Sequence, residues 1–316
     1  MNSPSRADAR AIGIDIGGTK MAVAAVDATG GFCARVTLPT EAELGFARAV
    51  ERLAGAIETV CQQAGWSPAG LGGIGIGCAG PVDPARGWIN NPYTLAGWDR
   101  CDIVTPLRAR FGVPVRLEND ADAAALGECF AGAGRGFDPV VMLTLGTGVG
   151  GAAIVRGEIY RGAGGEHPEL GHLLVAGEGP ECYCGARGCL ESLASGTALG
   201  AAGRTQGYAE ARAVFAAARA GEPAARAIVD RAREALAAAA WTIFHTFLPR
   251  RLILGGSIGD AHFDVFAAAI RDRLAQATQF TVGGVEVVPA ALGNDAGVLG
   301  AAALVLPARH IHASPR

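Results

Sequence analysis

Short apolar runs alternate with glycine turns at the start of the chain. Residues 12–16, 21–26 and 32–38 are apolar runs of strand length, and Gly17-Gly18 separates the first two. This spacing predicts a three-stranded meander. Residues 46–64 instead carry apolar side chains at helical spacing, which predicts an amphipathic helix.

The remainder of the first half is predicted to alternate strands with helices. The predicted elements are a strand at 71–78, a Gly/Pro-rich loop at 79–98, a helix at 103–111, a strand at 113–117 and a helix that opens at Asp120.

The second half follows a similar order from a second glycine turn at 146–150. The predicted elements are strands at 140–145, 151–155 and 159–160, helices at 191–202 with a break at 195–196 and at 209–247 with an interruption at 221–223, a strand at 251–254, a helix, a strand near 285–288 and a helix at 296–306. The order predicts an internal duplication of a βββαβα unit. Crossings near Asn119 and Asp295 would give an N-terminal lobe of residues 1–119 and 296–316 and a C-terminal lobe of residues 120–295.

Composition narrows the class of protein. The chain has 316 residues, half of them hydrophobic, and a net charge of −3 without a basic stripe. We therefore expect an α/β protein with a substantial core and no nucleic-acid partner, because phosphate binding needs clustered Lys and Arg. No apolar run reaches the ~20 residues of a membrane span, and the polar start does not resemble a secretory signal. Cysteines in apolar surroundings favour a reducing, cytoplasmic setting.

Three glycine turns each follow an apolar strand and are candidates for phosphate binding. The first joins two strands, so it is neither a Walker A loop nor a Rossmann fingerprint, which need a helix after the glycines. Its Asp15 could hold Mg²⁺, which prefers one or two carboxylates with phosphates and water. An ordinary glycine hairpin is the alternative for any one turn, but three turns in order predict a nucleotide triphosphate site. The candidate residues are Asp15, Gly17, Gly18, Thr19, Lys20, Gly146, Thr147, Gly148, Gly255 and Gly256.

Asp120 stands where a predicted strand enters a helix, directly after Asn119. A carboxylate there could take a proton from a hydroxyl group as a general base. Asn119 would offer both a donor and an acceptor to a polyol. Asp120 could instead be the N-cap of the helix, and the position alone does not separate these interpretations.

Cys182, Cys184 and Cys189 lie within eight residues, and His172 lies ten residues upstream. A tetrahedral zinc ion can use three thiolates and one imidazole, so the spacing predicts a Cys3His zinc knuckle. His167 competes with His172 as the fourth ligand. Three buried thiols or a redox pair are the alternatives. Two glutamates beside the cysteines, at 169 and 191, could bind sugar hydroxyls or be surface charges.

Taken together, these motifs resemble the ROK family of bacterial repressors, open reading frames and sugar kinases. The resemblance runs from about Ile12 to Leu306. The motifs that carry it are Asp15-Ile-Gly-Gly-Thr-Lys, Ala79-Gly-Pro-Val-Asp, Glu118-Asn-Asp, Leu145-Gly-Thr-Gly-Val-Gly, Glu169-Leu-Gly-His, Cys182-x-Cys-Gly-x-x-Gly-Cys-x-Glu191 and Leu254-Gly-Gly-Ser.

The resemblance implies an actin-like, ribonuclease-H-like ATPase fold of two lobes with an ATP and sugar cleft, and ATP-dependent phosphorylation of a hexose at O6. It also implies a homodimer as a common arrangement, Mg²⁺ with the nucleotide, and a structural zinc ion. The implied residues are Asp120 as catalytic base; Gly80, Asn119, Asp120, Glu169, His172 and Glu191 for the sugar; and His172, Cys182, Cys184 and Cys189 for zinc.

The substrate and the class within the family have alternatives. A glucokinase is the first expectation, and fructose or mannose kinases and N-acetylmannosamine or N-acetylglucosamine kinases are the others. The loop around residues 87–98 would shape an acetyl pocket. A sugar-responsive repressor is disfavoured, because we find no basic helical segment before the first strand.

Overall fold

The computed structural model describes residues 9–277 and 284–307. Its first five-stranded sheet has the order β3-β2-β1-β4-β8. The first three strands are antiparallel, whereas β4 and β8 run parallel to β1. The strands of this part of the chain are β1 (Arg10–Ile16), β2 (Lys20–Asp27), β3 (Phe32–Pro39), β4 (Gly73–Cys78), β5 (Val82–Asp83), β6 (Trp88–Ile89), β7 (Cys101–Asp102) and β8 (Val115–Asn119).

Burial explains which runs form the centre of this sheet. Strands β1, β2 and β4 are buried along nearly their whole length, as continuous apolar runs covered on both faces should be. The edge strand β3 is exposed or half-buried throughout. Helix α1 (Phe46–Ala64) buries Val50, Leu53 and Ile57 in the core cluster to which these strands contribute.

Three further helices complete this half of the structure: α2 (Val104–Phe111), α3 (Asp120–Ala131) and α10 (Ala296–Ala303). The predicted loop at 79–98 differs from expectation in one respect. It contains the two-residue strands β5 and β6, which pair with each other and, through β6, with β7 in a small separate sheet. Such short strands leave too few alternating residues for a period to be seen in the sequence.

The second sheet contains β9 (Val140–Leu145), β10 (Val149–Val155), β12 (Arg251–Gly255) and β13 (Glu286–Pro289), in the order β10-β9-β12-β13. Strand β10 is antiparallel to β9, and β12 is parallel to both β9 and β13. The remaining elements are β11 (Glu158–Ile159), α4 (Glu191–Ala194), α5 (Gly196–Arg204), α6 (Ala211–Ala220), α7 (Pro223–Phe247), α8 (Gly256–Ala261) and α9 (Phe263–Leu274). The order and directions of the strands β10-β9-β12-β13 repeat those of β2-β1-β4-β8, which confirms the predicted duplication.

The chain divides into two compact units at a place that differs from the sequence-based division. One unit contains the described residues up to Gly136, Gly157–Ile159 and the described residues from Asn294 onward; the other contains Phe137–Arg156 and Tyr160–Gly293. The sequence predicted a C-terminal lobe of residues 120–295, whereas residues 120–136, 157–159 and 294–295 belong to the first unit. The outer parts of the proposed N-terminal lobe, residues 1–8 and 308–316, lie outside the described residues.

Helix α3 belongs to the first unit because it packs closely on α10. A Cβ atom on Gly127 would overlap the Ala296 carbonyl oxygen, and one on Gly300 would overlap the Ala123 carbonyl oxygen. The two helices therefore meet backbone to backbone, and α3 follows α10 rather than the second unit. Over 9–277 and 284–307, no helix is both long enough and apolar enough to cross a membrane.

Candidate active site

Three parallel strands of the first sheet end at the same edge, and each is followed by a predicted site segment. The register places Asp15 of β1 opposite Gly77 of β4, and Gly77 opposite Glu118 of β8. The Gly80 loop follows β4, and Asn119 is the last residue of β8. The carboxyl ends of parallel strands are the usual place for ligand binding in α/β sheets. This unit therefore brings its own predicted site residues to one edge.

Asn119, and not Asp120, caps helix α3. The Asn119 Oδ1 atom accepts hydrogen bonds from the amides of Ala121 at 2.8 Å and Asp122 at 3.4 Å. Asp120 is the first residue of the helix and is exposed. The interpretation of Asp120 as an N-cap is therefore wrong, because its neighbour already fills that role. Asp120 keeps an accessible carboxylate, as a general base needs.

Gly80 lies directly against the Asn119 side chain. A Cβ atom at Gly80 would stand 2.5 Å from Asn119 Nδ2, so a larger residue at position 80 would force the Asn119 side chain to move. Because Oδ1 is occupied by the helix amides, the Asn119 amide group has a fixed orientation, with Nδ2 towards Gly80. The two predicted substrate-binding residues thus form one rigid contact.

Hydrogen bonds fix the base of the first glycine turn, whereas its tip is accessible to solvent. The Gly17 amide donates to the Lys20 carbonyl at 2.9 Å, and the Thr40 hydroxyl donates to the Gly17 carbonyl at 2.6 Å. The side chain of Thr40 is fully buried, whereas Gly18, Thr19 and Lys20 are exposed. Backbone amides at such a tip can approach an anion.

Asp15 carries a perturbed carboxyl group at this edge. Burial, followed by the negative charge of Asp120, raises the pKa of Asp15 from 3.8 to about 6, and the positive charges of Lys20 and Arg35 partly offset this. The same carboxyl lies against Gly297 at the start of α10, where a Cβ atom would stand 2.9 Å from the Asp15 carboxyl carbon. The sequence did not indicate Gly297, because 282 positions separate it from Asp15. Because the negative charge of Asp120 acts on Asp15, a cation would be favoured here.

In the second unit, the glycine turn after β9 is fixed by the start of helix α5. The Gly196 amide donates to the Gly146 carbonyl at 2.8 Å, and the Thr197 hydroxyl donates to the Thr147 carbonyl at 2.9 Å. The third glycine turn meets the same strand. Gly256 has a φ of 84°, and its Cβ would stand 2.5 Å from the Leu145 carbonyl oxygen, so only glycine fits there.

Glu191 joins this glycine turn to the cysteine segment. Its Oε2 atom accepts a hydrogen bond from the Val149 amide at 2.8 Å. A Cβ atom on Gly148 would stand 2.7 Å from the same oxygen. The surface-charge interpretation of Glu191 is therefore wrong, since the carboxylate is half-buried and bound to the turn.

The cysteine segment gathers four side chains that could ligate a metal ion. One ligand atom each from His172, Cys182, Cys184 and Cys189 lies within 4.8 Å of the others. Thiolate ligands of a tetrahedral zinc ion stand about 3.8 Å apart, given Zn–S bonds of about 2.3 Å. The measured Cys184–Cys189 sulfur separation of 3.6 Å and the Cys182 Sγ–His172 Nδ1 separation of 3.4 Å are compatible with that geometry.

The turn between these cysteines depends on its glycines. Gly185 and Gly188 have φ values of 93° and 74°, in the left-handed region that favours glycine. The Gly185 amide donates to the Cys182 carbonyl at 3.0 Å, and the Cys182 amide donates to the Ala186 carbonyl at 2.8 Å. The Cys-Gly-x-x-Gly-Cys spacing therefore produces a tight loop that turns its thiols towards one point.

His172, rather than His167, lies with the thiols. Its Nδ1 atom faces Cys182, and its Nε2 atom lies 3.1 Å from the Tyr183 hydroxyl. His167 Nε2 instead lies 3.5 Å from the Glu169 carboxylate, and this contact lowers the pKa of Glu169. Tyr183 is the partner that the sequence did not reveal, since a tyrosine between two cysteines has no distinguishing pattern.

The model of the ROK family matches residues 11–308. The chain belongs to the ROK family.

The relatives of this ROK protein span nearly its whole length. It is 37% identical over 312 residues to a glucokinase of Thermotoga maritima, covering 93% of this chain and 96% of the relative. It is 34% identical over 297 residues to an N-acetylmannosamine kinase of Citrobacter koseri, covering 93% and 97%.

Solved structures show the same fold. The ROK hexokinase from Thermus thermophilus superposes with a TM-score of 0.84 at 35% identity, covering 93% of this chain and 97% of that one. The ROK family glucokinase from Streptomyces griseus, in complex with glucose and AMPPNP, gives a TM-score of 0.71 at 32% identity, covering 93% and 98%. The predicted actin-like ATPase fold is confirmed for this ROK protein.

Proposed function

We propose that this ROK protein is an ATP-dependent hexose kinase that phosphorylates O6, with glucose as its first candidate substrate. The observation that carries the proposal is the identity of 32–37% to glucokinases over 93% of the chain. The accessible carboxylate of Asp120, directly after β8, supplies the group that the reaction needs.

Asp120 is the proposed catalytic base. Its carboxylate accepts the proton of the sugar hydroxyl as that oxygen attacks the γ-phosphorus of ATP. The bond between the γ-phosphorus and the β,γ-bridging oxygen breaks, and ADP leaves with the bridging oxygen. Products are the sugar phosphate, ADP and the proton held by Asp120.

The proposed binding roles follow from where each unit holds its polar groups. In the first unit, Gly80 and Asn119 would bind sugar hydroxyls, and the Gly17-Gly18 turn would face phosphate oxygens. Asp15 would hold Mg²⁺, which supplies charge neutralisation to the phosphates when bound.

In the second unit, Glu169, His172 and Glu191 are the proposed partners of sugar hydroxyls. The turn at 146–148 and the pair Gly255-Gly256 are the proposed nucleotide-binding segments. We propose zinc for the cluster of His172 and the three cysteines, where its contribution is structural: it would fix the backbone that presents Glu191.

A second candidate is an N-acetylmannosamine kinase, favoured by the 34% identity to the Citrobacter koseri enzyme over 93% of the chain. A coupled ADP-release assay over glucose, mannose, fructose, N-acetylmannosamine and N-acetylglucosamine separates the two. The highest kcat/KM for glucose supports the first proposal, and the highest value for N-acetylmannosamine supports the second.

The catalytic assignment has its own test. Asp120→Asn should abolish sugar-dependent ADP release while circular dichroism and the unfolding midpoint stay near those of the wild type. Turnover of the variant near the wild-type rate would contradict the role of Asp120. ADP release that no sugar stimulates would contradict the kinase proposal itself.

A further inference from the structure

The loop after β6 contains a buried asparagine that connects segments of the proposed site. Asn91 is 1% exposed, although it lies in a loop. Its side chain forms hydrogen bonds with the loop that follows β4 and with its own turn. A buried amide with this many partners is expensive to leave unsatisfied, so its position is firmly fixed.

One side of the Asn91 amide builds a turn. Its Oδ1 atom accepts hydrogen bonds from the amides of Tyr93 at 2.9 Å and Thr94 at 3.0 Å. This is an Asx turn, which fixes the backbone without regular secondary structure. Tyr93 is 82% exposed, so the turn is not held by packing of that ring.

The Nδ2 atom on the other side of the Asn91 amide connects two segments of the chain. Asn91 Nδ2 donates to the Ala79 carbonyl at 3.0 Å and to the Thr94 hydroxyl at 2.7 Å. The Ala79 amide in turn donates to the Ile16 carbonyl at 2.9 Å, at the end of β1. One side chain therefore ties the turn at 91–94 to the residue before Gly80.

Both ends of this bridge abut residues proposed to bind ligands. A Cβ atom on Gly18 would stand 3.2 Å from the Thr94 carbonyl oxygen, so the turn lies against the first glycine turn. Gly80, next to Ala79, lies against Asn119, the residue before Asp120. A displacement of Asn91 would therefore also move Gly18, at the tip proposed to bind phosphate, and the Asn119 amide proposed to bind sugar.

We propose that Asn91 is a positioning residue that sets the Gly17-Gly18 turn and the Gly80–Asn119 contact in register for phosphoryl transfer. This inference rests on the proposed kinase function. Asn91 does not need to touch either substrate; it acts through the Ala79 carbonyl and the Thr94 turn. Misplacement of a reacting group by about 1 Å can cost up to ~100-fold in rate.

Two substitutions separate the turn from the bridge. When its carboxyl is ionised, Asn91→Asp keeps the oxygen that accepts from Tyr93 and Thr94 but has no donor for the Ala79 carbonyl, so the variant is assayed at about pH 8. Asn91→Ala removes both functions. Gln63→Ala is the matched control, because it removes an exposed amide from α1.

Steady-state kinetics with ATP and the preferred sugar give the first readout. Both Asn91 variants should lose about tenfold or more in kcat/KM, with KM raised for ATP and for the sugar, while Gln63→Ala stays within about twofold of the wild type. If Asn91→Asp retains the wild-type kcat/KM, the turn alone matters and the bridge proposal is overturned.

Amide hydrogen exchange gives a readout that does not depend on activity. In Asn91→Ala, exchange should accelerate in peptides covering residues 91–94, 79–80 and 17–18. In Asn91→Asp, exchange should accelerate only in the peptides covering residues 79–80 and 17–18. Acceleration confined to 91–94 in Asn91→Ala overturns the proposal. If the wild type phosphorylates no sugar, the kinase function fails, and these exchange patterns still decide the connection.

Discussion

Replacing Asp15 by asparagine should stabilise the protein near neutral pH while removing its activity. The pKa of Asp15 is raised from 3.8 to about 6, first by burial and second by the charge of Asp120. A rise of about two in the pKa corresponds to a free energy of ~3 kcal/mol by which the folded state disfavours the carboxylate. An amide of nearly the same shape removes that cost, so ~3 kcal/mol is the largest expected gain in unfolding free energy.

The sign of the pH dependence follows from the direction of the shift. The folded pKa of this carboxyl lies above its unfolded value, so folding is disfavoured wherever the unfolded state is ionised. The cost is absent below about pH 3.8, grows between about pH 4 and 6, and is complete above that range. The advantage of Asp15→Asn should therefore fall to roughly half at about pH 5.

Urea unfolding at about pH 7.5 and about pH 5 measures this advantage. Mg²⁺ and nucleotide are left out, because a bound cation would stabilise the wild-type carboxylate. Asp272→Asn, on the exposed face of α9, controls for the substitution itself. The reasoning is refuted if Asp15→Asn is less stable than the wild type at the higher pH, or if its advantage is equally large at the lower pH.

The remaining predictions concern glycines and the metal. Gly148→Ala should lower kcat/KM by about tenfold or more, because its Cβ would stand 2.7 Å from the Glu191 oxygen that accepts the Val149 amide; unchanged kinetics would contradict that contact. Gly297→Ala should reduce kcat by displacing the Asp15 carboxyl, whereas Gly55→Ala, with open space around it, should not. Elemental analysis should find one zinc per chain, and chelation should lower the melting temperature; an active protein without zinc would contradict the assignment.

The strands and glycine turns were predictable from the sequence because local chemistry determines them. Apolar runs of about five to eight residues bounded by glycine form strands whether or not the partner strand is known. The cluster of thiols was predictable for a similar reason, since three of its four side chains lie in one short segment. In both cases the decisive contacts are close in sequence.

The capping of α3 was not predictable in this way. Asn and Asp are about equally good N-caps, so Asn119-Asp120 permits two helix starts. The choice is made by β8, which extends through Asn119 and leaves Asp120 as the first helical residue. A shift of one residue there decides whether the carboxylate caps a helix or remains accessible for chemistry.

The boundary between the units also could not be predicted from the sequence. It depends on contacts between α3 and α10, which are far apart along the chain, where Gly127 and Gly300 allow two backbones to touch. A glycine that permits close approach looks the same in sequence as one that permits a turn. Only the tertiary structure separates these two uses.

The proposed metal-binding cluster is connected to the glycine turn after β9 through one short stretch of backbone. Cys189 is fully buried, and its neighbour Leu190 donates its amide to the Leu173 carbonyl at 2.9 Å, beside His172. Glu191 follows directly and holds the Val149 amide. The backbone that a metal would fix therefore ends on the carboxylate that fixes the turn. In the Cys-x-Glu sequence only Leu190 separates Cys189 from Glu191, so a shift of the Cys189 backbone would be passed on to the carboxylate that holds the Val149 amide.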